Sequence, residues 1–124
     1  MKFQFTYGEY KEFESDLIIM GFKKYNGKLH SEDYYLAKTI HRTEPDEDGD
    51  TRSDLQLFIC VYDFSKYPRF DQPDFMHLQV EIHISRNMDE RIDLVVNDKI
   101  CKSIHDLEQF AFKFYDFITS NVPE

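Results

Sequence analysis

The pattern of apolar and polar positions predicts a helix, a series of strands and a second helix. Its clearest stretch is Leu55–Phe64, which carries no charge before Asp63 and in which both alternating sets of side chains are largely apolar. A strand with one solvent-facing side alternates apolar and polar residues, so a run that is apolar on both sides predicts a central strand covered on both faces.

Shorter alternations predict the other strands, at residues 22–25, 34–42, 77–85 and 92–96, with a short edge strand at residues 2–5. Asn26-Gly27 predicts a tight hairpin turn after the first of these, because both residues accept positive φ. Residues 77–85 have one apolar and one polar side, which predicts that the polar side, with Glu81 and His83, faces solvent.

A first helix is predicted over residues 7–20. Thr6 and Glu9 have the spacing of a capping box at its start, and Gly21 is a typical C-terminal stop. Its apolar stripe is predicted to consist of Tyr10, Phe13, Leu17 and Met20, while Glu14 and the other charged residues of the helix avoid that stripe.

A second helix is predicted from residue 104 to about residue 119, with Ser103 as its N-cap and Asp106 three positions later. Its apolar residues spread over more than half of the circumference. A helix of this kind is covered from two directions, or one of the two covers is a partner.

This element order predicts an α+β fold. The sheet is expected to be an antiparallel meander of 4–5 strands, with the N-terminal and the C-terminal helix packed on one face. A chain of 124 residues has the size of a single domain, so residues 1–124 are expected to share one core.

Charge and cysteine content restrict the classes of function. The net charge of −9 disfavours binding to nucleic acid or to anionic membrane surfaces, and it favours a protein partner with a basic surface. Two cysteines form no disulfide framework, and the sequence shows neither a signal peptide nor a membrane span, so a cytoplasmic location is expected.

The most polar segment is residues 43–54, which form a predicted acidic loop. Asp46, Asp48 and Asp50 have part of the spacing of a calcium loop, but Thr51 stands where the turn needs glycine and Leu57 where a bidentate glutamate is needed. The three aspartates are therefore interpreted either as a solvated loop or as the charged part of a docking site for a basic partner.

Catalytic motifs are scarce, so an enzyme is the less favoured class. The sequence has no nucleophile elbow, no phosphate-binding glycine loop and no metal-binding cysteine or histidine spacing, and no cofactor or metal is expected. The alternative is a small metal- or histidine/carboxylate-dependent enzyme that uses Glu81 and His83, which lie ~6–7 Å apart on one strand face. His41 joins them only if its strand is adjacent.

The leading hypothesis is a non-catalytic acidic protein-binding module of the adaptor, chaperone, immunity or inhibitor type. Phe58 and Tyr62, on the second face of the sheet, are predicted to supply apolar contact with the partner. The alternative cover for that face is the protein's own segment 65–75. Self-association, through this face or through the wide apolar surface of the second helix, is part of the same hypothesis.

Overall fold

A computed structural model describes residues 2–27, 29–43, 53–63, 75–86, 90–99 and 102–120. In chain order its elements are β1 (Gln4–Thr6), α1 (Tyr7–Ile19), β2 (Lys23–Tyr25), β3 (Tyr34–Arg42), β4 (Ser53–Asp63), β5 (Phe75–Arg86), β6 (Glu90–Val96) and α2 (Ile104–Ser120). The predicted α+β class is confirmed, with an antiparallel sheet and one helix near each end of the chain.

The described strands form one sheet in the order β1-β5-β4-β3-β2, and β6 also pairs with β5. Strands β2 to β6 are thus neighbours in chain order, as in a meander. The first strand joins beside β5, with Gln4 opposite His77 and Thr6 opposite Phe75. It corresponds to the short edge strand predicted at residues 2–5, and with it the described sheet has six strands.

Strand β4 is buried on both faces, as its uncharged sequence predicted. Leu55, Leu57, Ile59 and Val61 of one alternating set are buried, and so are Phe58 and Cys60 of the other. Neighbours on both edges, β5 and β3, complete the backbone pairing of this central strand.

The tight turn predicted at Asn26-Gly27 is wrong. Strands β2 and β3 pair with Tyr25 opposite Tyr35, so residues 26–33 all belong to their connection. Positive φ among the described glycines occurs at Gly21 and not at Gly27. One local and one long-range hydrogen bond hold the longer connection instead: Glu32 Oε1 accepts from the His30 N–H at 2.7 Å, and the Asp33 N–H donates to the Val61 carbonyl of β4 at 2.9 Å.

Two compact units make up the chain, and both draw on the long strands. The α1 unit comprises Lys2–Lys38 and Phe58–Val80, and therefore holds β1, α1, β2 and parts of β3, β4 and β5. The α2 unit comprises Thr39–Leu57 and Glu81–Glu124, and therefore holds the remaining parts of these strands together with β6 and α2.

Helix α1 begins as its sequence predicted and ends at Ile19, one residue before the predicted end. The Glu9 N–H donates to the Thr6 hydroxyl, and the Glu9 carboxylate accepts from the Thr6 N–H, so the capping box is formed. Gly21 follows the C-cap Met20 and has φ 101, a conformation that residues with a Cβ rarely adopt.

The predicted apolar stripe of α1 needs two corrections. Tyr10 and Leu17 are buried as expected, but Met20 is exposed, because it is already the C-cap and no longer part of the helix. Glu14 lies between the two buried residues and is only 7% exposed. A carboxylate was expected to face water, yet it occupies the position four residues after Tyr10 and three before Leu17, on the packed face.

Polar partners explain why Glu14 tolerates burial. Lys24 Nζ of β2 lies 3.1 Å from Glu14 Oε1, and Lys11 Nζ lies 3.5 Å from Oε2. The Tyr10 hydroxyl donates to Oε1 at 3.4 Å. Burial raises the pKa of Tyr10, as does its hydrogen bond with Tyr34, so the Tyr10 hydroxyl stays protonated and remains a donor.

In the α2 unit, the start of α2 is capped as predicted, because the Asp106 N–H donates to the Ser103 hydroxyl at 3.1 Å. The helix buries Ile104, Leu107, Ala111 and Tyr115. The Tyr115 hydroxyl forms hydrogen bonds to Ser53 Oγ at 2.6 Å and to Thr43 Oγ1 at 3.0 Å. Neither α1 nor α2 is long and apolar enough to cross a membrane.

Candidate functional site

The residues predicted to bind a partner fall into two groups. Asp46, Asp48 and Asp50 lie outside the described residues, as do residues 65–74 of the segment 65–75 that is the alternative cover for the second sheet face. Phe58 and Tyr62 lie in the α1 unit. Phe58 is only 9% exposed and Tyr62 is partly buried, so Phe58 offers little free surface in this fold.

Phe58 belongs to a row of aromatic rings across three neighbouring strands. Its ring centroid lies 5.7 Å from that of Tyr35 on β3, and Tyr35 stacks on Tyr25 of β2 at 5.1 Å. Tyr62 contacts His77 of β5, with ring centroids 6.2 Å apart. Exposure increases along the row from Phe58 toward the edge strand, and Tyr25 is its exposed end.

His41 does not join Glu81 and His83 in the described part of the α2 unit. Its ring packs instead against two rings of α2, with centroids 5.0 Å from Tyr115 and 6.3 Å from Phe112. Its environment is thus an aromatic contact with the helix.

Glu81 and His83 do lie together, but the expectation that they face solvent is wrong. Each is only 2% exposed, and His83 Nε2 lies 3.2 Å from Glu81 Oε1. Alternation along β5 puts both side chains on the same face of the strand. Burial of an ionisable pair is costly unless its members bind each other or a further charged group.

A third group completes this cluster. Asp93 of β6 approaches His83 with Oδ1 at 3.6 Å from Nδ1, so each nitrogen of the imidazole faces a carboxylate. One ligand atom from each of Glu81, His83 and Asp93 can be chosen such that all three lie within 4.8 Å of one another. We call these three residues the Glu81–His83–Asp93 cluster.

Arg91 is a cation in direct contact with this cluster. Its guanidinium donates to both carboxylate oxygens of Asp93, from Nε and from Nη2, each at 2.8 Å. The hydrogen bonds to Asp93 raise the pKa of Arg91, and the charge of Glu81 acts in the same direction. Chemically, the cluster can bind a cation or hold a proton between its imidazole and its carboxylates.

Asp93 was not predicted as a site residue, although the alternation of residues along its strand indicates it. Ile92, Leu94 and Val96 identified the strand, and they also fix that Asp93 points to the opposite side. The next strand in a meander is the neighbour of β5, so an acidic residue on that side is a candidate partner for Glu81 and His83. The sequence does not show the register of β6 against β5, which decides whether Asp93 lies beside Glu81 and His83.

A different kind of site lies at the C-terminal end of α1. Ile18 is 52% exposed and Ile19 is 83% exposed, and Met20 beside them is also exposed. We call these three residues the α1 apolar end. Single exposed apolar residues are common on protein surfaces, but here three consecutive large ones, which point in different directions around the helix, make its end an apolar patch.

No protein-family model matches this chain, and neither the curated proteins nor the solved structures contain a significant match to it.

Proposed function

We propose that this protein is a non-catalytic binding module that engages a protein partner with a basic surface. The exposure of the α1 apolar end is the observation that carries the proposal. Ile18 and Ile19 each leave more than half of their surface in water, at 52% and 83%. Full burial of an exposed isoleucine contributes about 1.5–3 kcal/mol, so covering Ile19 contributes close to this amount and covering Ile18 about half of it, which makes them effective anchors for a partner.

Two acidic residues share the side of α1 on which Ile19 lies, and they indicate the chemistry of the partner. Asp16 precedes Ile19 by three positions and Glu12 precedes it by seven, so both carboxylates share its side of the helix. Both are exposed. The complementary surface therefore combines apolar side chains with lysine or arginine, as on a basic amphipathic segment.

The acidic segment 43–54 adds to the same preference. Asp46, Asp48 and Asp50 supply the charge that we propose steers the partner, consistent with the net charge of −9. This acidity also argues against nucleic acid as the partner, because phosphates would be repelled. Apolar contact is assigned to the α1 apolar end rather than to Phe58, which is mostly buried.

An affinity capture from the native host, with identification by mass spectrometry and then a direct binding measurement, tests the proposal. The double variant Ile18→Ser/Ile19→Ser is expected to weaken binding of the captured partner at least tenfold. The triple variant Asp46→Asn/Asp48→Asn/Asp50→Asn is expected to weaken binding less and to flatten its dependence on salt.

Val95→Ser is the matched control, because Val95 is an exposed apolar residue on β6 and lies outside the patch. It is expected to leave the affinity unchanged. A partner that binds the Ile18→Ser/Ile19→Ser protein as tightly as the wild type would contradict the assignment of the site to α1.

Self-association is a further part of the proposal, and α2 supports it. Phe117 is 64% exposed and Phe112 is exposed as well, so the wide apolar surface predicted for this helix is not fully covered within the described residues. Light scattering is expected to show a dimer that Phe117→Ser converts to a monomer. A wild-type protein that is monomeric at high concentration would contradict the proposed self-association.

We also propose a cytoplasmic location. The chain has only two cysteines, too few for a disulfide framework, which is compatible with a reducing compartment. Microscopy of a fluorescent fusion in the native host checks this expectation, and a signal confined to another compartment would contradict it.

A further inference from the structure

We propose that Glu81, His83 and Asp93 form a binding site for a divalent transition-metal ion of the zinc type. This inference is independent of the protein-binding function proposed above. It rests on the geometry of the Glu81–His83–Asp93 cluster and on the burial of two of its members.

The donor set selects the kind of ion. One imidazole nitrogen and two carboxylate oxygens suit Zn²⁺ and neighbouring first-row ions, whereas Ca²⁺ and Mg²⁺ prefer oxygen ligands alone. Three protein ligands leave at least one position of a tetrahedral ion open to water or another small ligand.

Glu81 and His83 already lie at distances that fit such an ion, whereas Asp93, whose Oδ1 is 3.6 Å from the other imidazole nitrogen Nδ1, has to move toward it. Bonds of ~2.1 Å in a tetrahedral zinc site separate the ligand atoms by about 3.4 Å. His83 Nε2 and Glu81 Oε1 are already 3.2 Å apart. All three ligand atoms lie within 4.8 Å, so Asp93 is the group that has to approach, and it is the most exposed of the three.

Strand geometry holds the two inner ligands in place. Glu81 and His83 project from alternate positions of β5, and each is 2% exposed, so neighbouring atoms restrict their rotamers. A site with ligands on a strand and its hairpin neighbour is more rigid than one on loops.

Arg91 gives the proposal its most specific consequence. Its guanidinium engages both oxygens of Asp93 at 2.8 Å, so a metal ion and Arg91 compete for the same carboxylate. The Arg91 side chain is exposed and can turn into solvent when the ion binds. Removing its charge should therefore strengthen metal binding, whereas removing a ligand should weaken it.

Titration of the tag-free, chelator-treated full chain with ZnCl₂ in a calorimeter tests the site. One ion per chain is expected at micromolar affinity or tighter, and a cobalt-loaded sample is expected to show visible absorption bands. CaCl₂ is expected to give no comparable binding. The absence of saturable one-to-one zinc binding would overturn the proposal.

Substitutions locate the ion. His83→Gln and Asp93→Asn are each expected to weaken zinc binding at least tenfold, and Arg91→Gln is expected to tighten it several-fold. His105→Gln is the matched control, because His105 is an exposed histidine of α2 whose ring lies by Gln109; it should leave the affinity unchanged.

A variant of the buried His83 can fail to fold, so circular dichroism accompanies each measurement. If the His83 variant does not fold, Arg91→Gln still tests the site, because it changes an exposed side chain. Unchanged or weaker zinc affinity in the Arg91→Gln protein would contradict the competition for Asp93. Wild-type affinity in a folded His83→Gln protein would equally refute the site.

Discussion

Glu14 is a charged residue whose burial was not predicted from its type. Charge suggested an exposed side chain, yet Glu14 lies on the buried side of α1 and is only 7% exposed. Helical geometry alone includes it in the stripe of Tyr10 and Leu17, four positions after the first and three before the second. The ion pair with Lys24 offsets the preference of this carboxylate for water. Because Lys24 belongs to β2, the periodicity of the helix does not indicate this partner.

Glu14→Gln is expected to lower the free energy of unfolding by about 1–3 kcal/mol. The amide keeps the volume but removes the charge, which leaves the Lys24 ammonium without its 3.1 Å carboxylate partner. Urea denaturation measures the change. Glu12→Gln is the matched control two positions earlier on the exposed side and should cost less than ~0.5 kcal/mol.

An equal loss in the two variants would show that the burial of Glu14 has no energetic consequence. The Lys24 side chain also lies over the Tyr34 ring, 4.1 Å from its centroid, so Lys24 keeps one favourable contact in the Glu14→Gln protein. This contact sets the lower end of the expected range.

At the level of elements, local signals predicted most of the fold. Helix starts at Thr6 and Ser103 and the stop at Gly21 depend on neighbours within a few residues, and the structure confirms all three. The buried strand β4 was predictable because two alternating apolar sets leave no side for water.

Contacts between elements account for what the sequence did not predict. The connection 26–33 is held by a hydrogen bond to Val61, which the local sequence cannot indicate. The candidate metal site required the register of β6 against β5, which brings Asp93 to His83. The burial of Glu81 and His83 likewise depends on atoms distant in sequence. The alternation along β5 therefore led to the wrong prediction that its polar side faces solvent.

The start of α1 is expected to depend on pH. The Lys2 ammonium, followed by the hydroxyl and N–H of Thr6, lowers the pKa of the Glu9 carboxyl from 4.5 to about 2. A carboxyl with a lowered pKa in the folded state stabilises the protein above its unfolded-state pKa, and this contribution is lost as the pH falls through the folded-state value.

Melting curves of the wild type and of Glu9→Gln should therefore differ at neutral pH and converge as the pH falls from 4.5 toward 2. Lys2→Gln is expected to reproduce much of the effect, because the ammonium, 2.7 Å from the carboxylate, is its largest cause. A difference in stability between wild type and Glu9→Gln that persists unchanged below pH 2 would show that the charge of Glu9 is not its cause.

For the whole molecule, the dominant electrostatic feature is the excess of carboxylates, 24 acidic against 15 basic residues. Individual surface pairs such as Lys2–Glu9 and Arg42–Asp54 attract, but water and salt screen such pairs, so each contributes little to stability. Repulsion among the unbalanced carboxylates extends over the surface and opposes the folded state. Salt screens both effects, so its net influence on stability shows which of them is larger.

We expect repulsion to dominate, so that raising NaCl from ~10 mM to ~0.3 M, where the Debye length falls from about 30 Å to below 8 Å, increases the free energy of unfolding. A gain on the order of 1 kcal/mol or less should appear in denaturation by urea, which is uncharged and leaves the ionic strength unchanged. Asp46→Asn/Asp48→Asn/Asp50→Asn changes the net charge from −9 by 3, to −6, and should reduce this gain. A wild-type protein that loses stability with salt would instead show that its ion pairs outweigh its net charge.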